Sequence, residues 1–415
     1  MNVFARTLCR LPLWIALVLA LGAGLFIDSD AGARDGRSGW HAAWGTSQQG
    51  LDAAVVSNST VRMITRPTLS GSHVRVQLQN TFGTMPLVIG AAKIGVRNNA
   101  AQLVPGSNTA LTFGGSPTLT IPAGSAAYSD PVAFDVHAWQ DIAISLYLPD
   151  PVVQVSRHNN ARATSYFTAP AAGDHTSDEG AAAFVSTTTS MWWLAAIDVY
   201  SASADGSIIF FGDSITDGTA TTTDGHDRWH DVIALRFMLD SREDEEKARL
   251  GVVNEGIGGN RVTNVIPGGS PAAVDRLDRD VLARSGITRV VFFEGTNDLA
   301  AGVTADQLIA GMQNVIDRVH KAGVPIIGVT IIPRHNATWT PQMTEYRHIV
   351  NDWIRRKAGF DAVIDFDKVM RSAGDPDLMN PVLDFGDHIH PNPFGYFLMG
   401  QAVELKLLEK HFSLR

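Results

Sequence analysis

The sequence predicts an α/β domain built on a five-stranded parallel sheet, preceded by an antiparallel β-sandwich. Two patterns and a break between them predict this. From about residue 40 to 203, apolar residues alternate with polar ones at a period of two, the signature of strands with one buried face. After residue 206 the chain alternates apolar strand-like runs with segments of helical periodicity, which implies parallel strands with helices on both faces. Ser201-Ala202-Ser203-Ala204-Asp205-Gly206 lies between them, small and polar, and is the best boundary. The organisation expected is 1–33 a signal peptide, 40–203 the sandwich and 205–415 the α/β domain.

Arg6 and Arg10 flank a nearly unbroken apolar run from Leu11 to Ile27, and Ala31-Gly32-Ala33 follows as a small-x-small cleavage site. The expectation is an exported protein, periplasmic or secreted. The run is near the lower length for spanning a bilayer, so an uncleaved anchor is the alternative. The single cysteine, Cys9, precedes the run, so the mature chain would form no disulfide and depend on core burial.

In the sandwich, Val74, Val76 and Leu78 alternate with Arg75, Gln77 and Gln79. Ile142, Ile144, Leu146 and Leu148 alternate with Ala143, Ser145 and Tyr147. Turns such as Pro105-Gly106-Ser107-Asn108 and Gly114-Gly115-Ser116-Pro117 separate such runs. In the second half, strands are predicted near 207–212, 251–255, 289–294, 325–331 and 361–366, and helices near 227–240, 272–284, 304–322, 341–357 and 393–411. Leu308, Met312, Val315, Ile316 and Val319 mark one apolar helix face.

Four segments carry chemistry. Gly212-Asp213-Ser214-Ile215-Thr216-Asp217-Gly218 puts a serine on a tight turn directly after an apolar strand, where a nucleophile can be presented. Asn254-Glu255-Gly256-Ile257-Gly258-Gly259-Asn260 follows a second strand, and its glycines allow a backbone N–H close to a ligand. Glu294-Gly295-Thr296-Asn297-Asp298 ends a third strand with an Asn amide. Asp387-His388-Ile389-His390-Pro391 offers a carboxylate and an imidazole three residues apart.

With these four blocks in this order, roughly residues 205–415 resemble the SGNH hydrolases, the superfamily of the GDSL esterases and lipases. The resemblance implies a flavodoxin-like, three-layer domain with strand order 2-1-3-4-5. A jelly-roll-like sandwich before it suits a two-domain exported bacterial type. The implied roles are Ser214 as nucleophile, His390 as base, and Asp387 as the acid that orients the imidazole. Oxyanion donors would be the N–H groups of Ser214 and Gly259 and the Asn297 amide. Ile215 stands where many members carry Leu, a conservative change below the turn. No metal and no organic cofactor is required.

These residues also admit other readings. Asp384 competes with Asp387, but its spacing to His390 departs from the pattern that the resemblance implies. His388-x-His390 could ligate a metal but lacks a clustered third ligand. Asn254, Asp213 and Asp298 read as turn, capping and loop-orienting residues. His226, His230 and His335 read as surface residues or supports behind the site. Trp192 and Trp193 suit the sandwich core or an interface, and Arg261 a substrate contact or a structural ion pair. A Gly-x-Ser-x-Gly elbow, needed by the α/β-hydrolase fold, is absent.

Net charge is −9 at pH 7, and no basic stripe interleaves with aromatics, which argues against nucleic acid as a partner. After signal cleavage no stable membrane partner is expected. The partner expected is a small ester, with acetylated carbohydrate as one class. The function expected is hydrolysis of short-acyl carboxylic esters through an acyl-enzyme. Carbohydrate O-acetylesterase or acyltransferase activity at the same residues is the alternative, and a non-catalytic glycan-binding export protein is the remote one. The sandwich could bind glycan, but a packing partner that walls the cleft is favoured.

Overall fold

The computed structural model describes residues 39–243, 249–356 and 359–409. The N-terminal segment read as a signal peptide, with Cys9, lies outside the described residues, as does most of the charge run from Arg242 to Arg249. Among the described residues, no helix is long and apolar enough to cross a membrane.

The N-terminal region packs two antiparallel sheets face to face. One has strands in the order Trp40–Gly45, Leu194–Tyr200, Gly71–Gln79 and Ala126–Tyr128, with Val132–Val136 also paired to Gly71–Gln79. The other centres on Ser59–Thr65, Ile142–Leu148 and Ala91–Asn99. A smaller sheet joins Met191–Trp192, Val153–His158 and Gly50–Val56. The inward residues of the period-two runs, including Val74, Val76, Leu78, Ile142, Ile144, Leu146 and Leu148, form one core with Trp192 and Trp193.

The polar face of Gly71–Gln79 does not meet solvent as its alternation suggests. Gln77 and Gln79 are buried. Arg284 Nη1 donates to Gln77 Oε1 at 2.8 Å, and Arg75 Nη2 donates to Ser285 Oγ at 2.8 Å. The α/β half covers this face, and cross-half hydrogen bonds satisfy the polar groups that burial would otherwise penalise.

In the C-terminal half, strands Gly206–Gly212, Leu250–Gly256, Ile287–Phe293, Ile326–Val329 and Ala362–Ile364 form a parallel sheet in the order 2-1-3-4-5. Both faces are apolar because both are covered. Ile209, Phe211, Val253, Val290 and Phe292 meet the helix Ala305–Lys321 on one side. Ile208, Phe210, Val252, Val291 and Phe293 meet the helices Trp229–Glu243 and Pro393–Ala402 on the other. Trp229 is fully buried and edge-on to Phe210, Phe293 and Phe366, contacts worth about 0.5–1.5 kcal/mol each beyond area burial. Helix Ala305–Lys321 starts in a reciprocal capping box between Thr304 and Gln307, and its predicted apolar face is buried throughout.

Two helices differ from expectation. The segment expected at 272–284 is a short α-helix, Ala273–Leu277, followed by a π turn, Asp278–Leu282. The wider turn carries Asp280 into the core, where Arg276 and Arg279 pair with it. The segment expected at 393–411 breaks into Pro393–Ala402 and Leu405–Glu409. Arg236 Nη1 donates to the carbonyls of Gly400 at 2.6 Å and Val403 at 2.8 Å, taking up the acceptors that the helix end leaves free.

Candidate active site

Strand Gly206–Gly212 is buried along its length and delivers Asp213, whose Oδ1 accepts from the Ile215 N–H at 2.9 Å and caps the short helix Ser214–Asp217. The turn is tight enough to require glycine. A Cβ on Gly212 would sit 2.2 Å from Thr216 Oγ1, and one on Gly256 would sit 2.2 Å from the Asp217 nitrogen.

Ser214 Oγ lies 2.9 Å from His390 Nε2. His390 Nδ1 lies 2.6 Å from Asp387 Oδ2. The other Asp387 oxygen accepts the N–H groups of Ile389 and His390, both at 2.9 Å. One oxygen therefore folds the loop and the other aims the ring. A carboxylate only accepts, so Nδ1 carries the proton and Nε2 faces the serine as acceptor. Burial alone would raise the Asp387 carboxyl, but hydrogen bonds from the His390 ring and from the two N–H groups outweigh it and hold it below the ordinary carboxylate range.

Gly259 has φ of 73°, and its N–H makes no hydrogen bond among the described residues. The Ser214 N–H belongs to the first turn of its helix, where no intrahelical acceptor exists. Asn297 Nδ2 donates to Asn260 O at 2.9 Å, which fixes the amide and leaves its second hydrogen free. Ser214, Gly259, Asn297 and His390 all line one cleft of about 330 Å³. Three of these follow the ends of adjacent strands, where ligands to parallel sheets bind.

Asp384 does not face His390. It takes His388 Nδ1 at 2.6 Å. His335 stacks on His388 with centroids 4.3 Å apart, and the ligand atoms of His335, Asp384 and His388 lie within 4.8 Å of one another. Asn254 accepts from the Gly256 N–H, and Asp298 accepts from the N–H groups of Val262 and Thr263. Among the described residues, Arg261 neither lines the cleft nor pairs with a carboxylate. Its Nη1 donates to the carbonyls of Ile266 and Pro267 and ties its own loop. His230 is buried under the Ser214 turn, donates Nε2–H to Thr216 O at 3.0 Å, and is lowered to about 4 by burial.

Several cleft and support residues carry no sequence signal. Gln49, Asn159, Asn160 and Arg162 reach the cleft from the sandwich, and Arg334 from the loop after the fourth parallel strand. Arg276, 1% exposed, donates to Gly212 O, Glu255 O, Glu294 Oε1, Asn260 Oδ1 and Ser47 Oγ, and so clamps three strand ends together.

Burial pushes the Glu294 carboxyl up to about 8 despite Arg276, and pushes Asp213 up to about 7. Both hold a proton more tightly folded than unfolded. The stability they contribute is full below about pH 4 and is lost as pH rises through their folded values. His230 has the opposite sign: below about pH 6.5 the unfolded ring takes a proton while the buried ring stays neutral down to about 4, so stability falls as pH drops through that window. The stability difference between wild type and Glu294→Gln isolates the first effect. In urea melts it should shift against the wild type between pH 5 and 8. A difference independent of pH contradicts the assignment.

Residues 210–398 match the model of the GDSL-like lipase/acylhydrolase family. Residues 210–398 are therefore a GDSL-like lipase/acylhydrolase domain. The hydrolase is therefore, by class, a carboxylic ester hydrolase. Similar solved structures include a member of the lipolytic protein G-D-S-L family from Veillonella parvula DSM 2008, at 18% identity and TM-score 0.36, covering 49% of this chain and 99% of that one. The psychrotrophic esterase EstA from Pseudoalteromonas sp. is 18% identical at TM-score 0.36, with 47% of this chain and 93% of that one covered. Acetyl xylan esterase AlAXEase is 21% identical at TM-score 0.36, with 47% and 96% covered. No curated protein matches the chain.

Proposed function

We propose that the hydrolase is a serine esterase acting on short-acyl esters through an acyl-enzyme at Ser214. The observation that carries this is the hydrogen-bonded chain from Ser214 through His390 to Asp387, set beside the free donors of Gly259 and Asn297. As His390 takes its proton, Ser214 Oγ bonds to the ester carbon. The oxyanion forms against the N–H groups of Ser214 and Gly259 and the Asn297 amide. Collapse breaks the bond to the alcohol, which takes the proton from His390. Water then repeats the sequence and releases the acid. Asp387 holds the ring tautomer and stabilises the imidazolium.

Residues 40–203 serve as the wall of a cleft whose chemistry belongs to residues 205–415. The cleft suits a small acyl group, and its carboxamides Gln49, Asn159 and Asn160 favour a hydroxylated alcohol over a lipid chain. That lining supports carbohydrate O-acetylesterase activity as the second reading. An acyltransferase would use the same residues with an acceptor alcohol in place of water. The same reading takes the protein to be exported, on the sequence of residues 1–33.

A panel of p-nitrophenyl esters of increasing acyl length, run beside an acetylated glycan with product analysis, tests substrate class. Acetyl and other short esters should have the highest kcat/KM. A preference for long chains contradicts the reading. Asn297→Ala should lower kcat by on the order of 10²–10³ with KM little changed, because the amide acts chiefly on the transition state. Raised KM at normal kcat would make it a substrate-binding residue instead.

A further inference from the structure

The sandwich does more than wall the cleft. Its strand Val153–His158 ends at the nucleophile turn, and His158 is 2% exposed there. His158 Nε2 lies 3.0 Å from Asp217 Oδ1, and its Nδ1 lies 2.8 Å from Ser47 O. Asp217, the last residue of the nucleophile helix, uses its other oxygen to accept the Gly258 N–H at 3.0 Å. Gly258 immediately precedes Gly259. A continuous path of hydrogen bonds thus runs from the sandwich backbone through an imidazole and a carboxylate to the peptide next to the Gly259 donor.

We propose that His158 is a positioning residue for the oxyanion hole: through Asp217 it fixes the Gly258–Gly259 backbone relative to Ser214. The proposal rests on the reading of Gly259 as an oxyanion donor. Its physical basis is the steep dependence of catalysis on donor placement. A Gly-Gly segment has little stiffness of its own and would pay ordering entropy at the transition state. Asp217 joins the two elements, since it belongs to the helix Ser214–Asp217 and holds the Gly258–Gly259 loop. His158 immobilises the carboxylate that does so.

Other contacts hold the sandwich loop against the hydrolase without His158. Arg228 Nη2 donates to Ala161 O at 2.6 Å, and Thr164 binds Asp224 through its N–H at 2.7 Å and its hydroxyl at 2.6 Å. Removing the imidazole should therefore loosen the oxyanion loop and leave the seam between the halves closed.

Two variants separate the two ends of the ring. His158→Asn puts an amide nitrogen where Nδ1 stands, keeping Ser47 and losing Asp217. His158→Gln reaches Asp217 from the Nε2 position. Rates are read with p-nitrophenyl acetate and divided by the number of sites titrated with a serine-directed phosphonate. The Asn variant should lose on the order of 10–100-fold in kcat per titrated site with KM within about twofold, and the Gln variant should recover most of that loss. Wild-type kcat per site in His158→Asn overturns the proposal. A loss accounted for entirely by missing titratable sites, or a Gln variant as slow as the Asn variant, overturns it as well, since either marks a merely structural role. Asn297→Ala is the control. If it keeps normal kcat, the oxyanion-hole reading itself has failed. If it is slow while His158→Asn is not, only the present proposal fails.

Discussion

Ser214→Ala should fold as the wild type and lose nearly all esterase activity, on the order of 10⁴–10⁶ in kcat. The side chain makes one hydrogen bond, to His390, so its removal leaves the packing of the turn intact. On the proposed function, what is lost is the atom that forms the acyl-enzyme. The residual rate would come from the oxyanion donors and from binding alone. Steady-state kinetics with p-nitrophenyl acetate check this. A variant within tenfold of wild type would mean that water, or another group, attacks the ester directly.

Asp387→Asn should cost on the order of 10⁴ in kcat, while Asp384→Asn should cost far less. An Asn at 387 can keep the loop contacts to Ile389 and His390 through its carbonyl oxygen. Its amide nitrogen would then donate to His390 Nδ1, forcing the proton onto Nε2, where it can no longer accept from Ser214. Asp384 faces His388, so its substitution leaves the His390 tautomer untouched. Parallel kinetics on the two variants decide between the carboxylates. Greater damage from Asp384→Asn would place the acid three residues upstream.

The hydrolase fold was legible because its strands are short apolar runs ending in small-residue turns, and its helices show a clear period. Helix Ala305–Lys321 was readable from Leu308 to Val319 for that reason. The break near Val403 was not, since it depends on Arg236 from another helix, and the one near Asp278 was not, since it depends on how Arg276, Arg279 and Asp280 pair once they are buried. Cleft residues borne by strand ends stood out as spaced blocks, and the structure brings Ser214, Gly259, Asn297 and His390 to one cleft. The sandwich contributions left no such trace. His158, Asn159, Asn160 and Gln49 sit in ordinary strand and turn sequence, and only the packing of one half on the other brings them to the site. The same packing hid the role of Gln77, whose period-two position reads as solvent-facing but which takes a hydrogen bond from Arg284.

The central claim is that one serine, activated by His390, carries the acyl group. Labelling with a serine-directed phosphonate, followed by peptide mass mapping, tests it most directly. The account predicts a single adduct per chain, on the peptide containing Ser214, with activity lost in step with labelling and with no labelling of Ser214→Ala. An adduct on another serine, or full activity retained after Ser214 is modified, would contradict it.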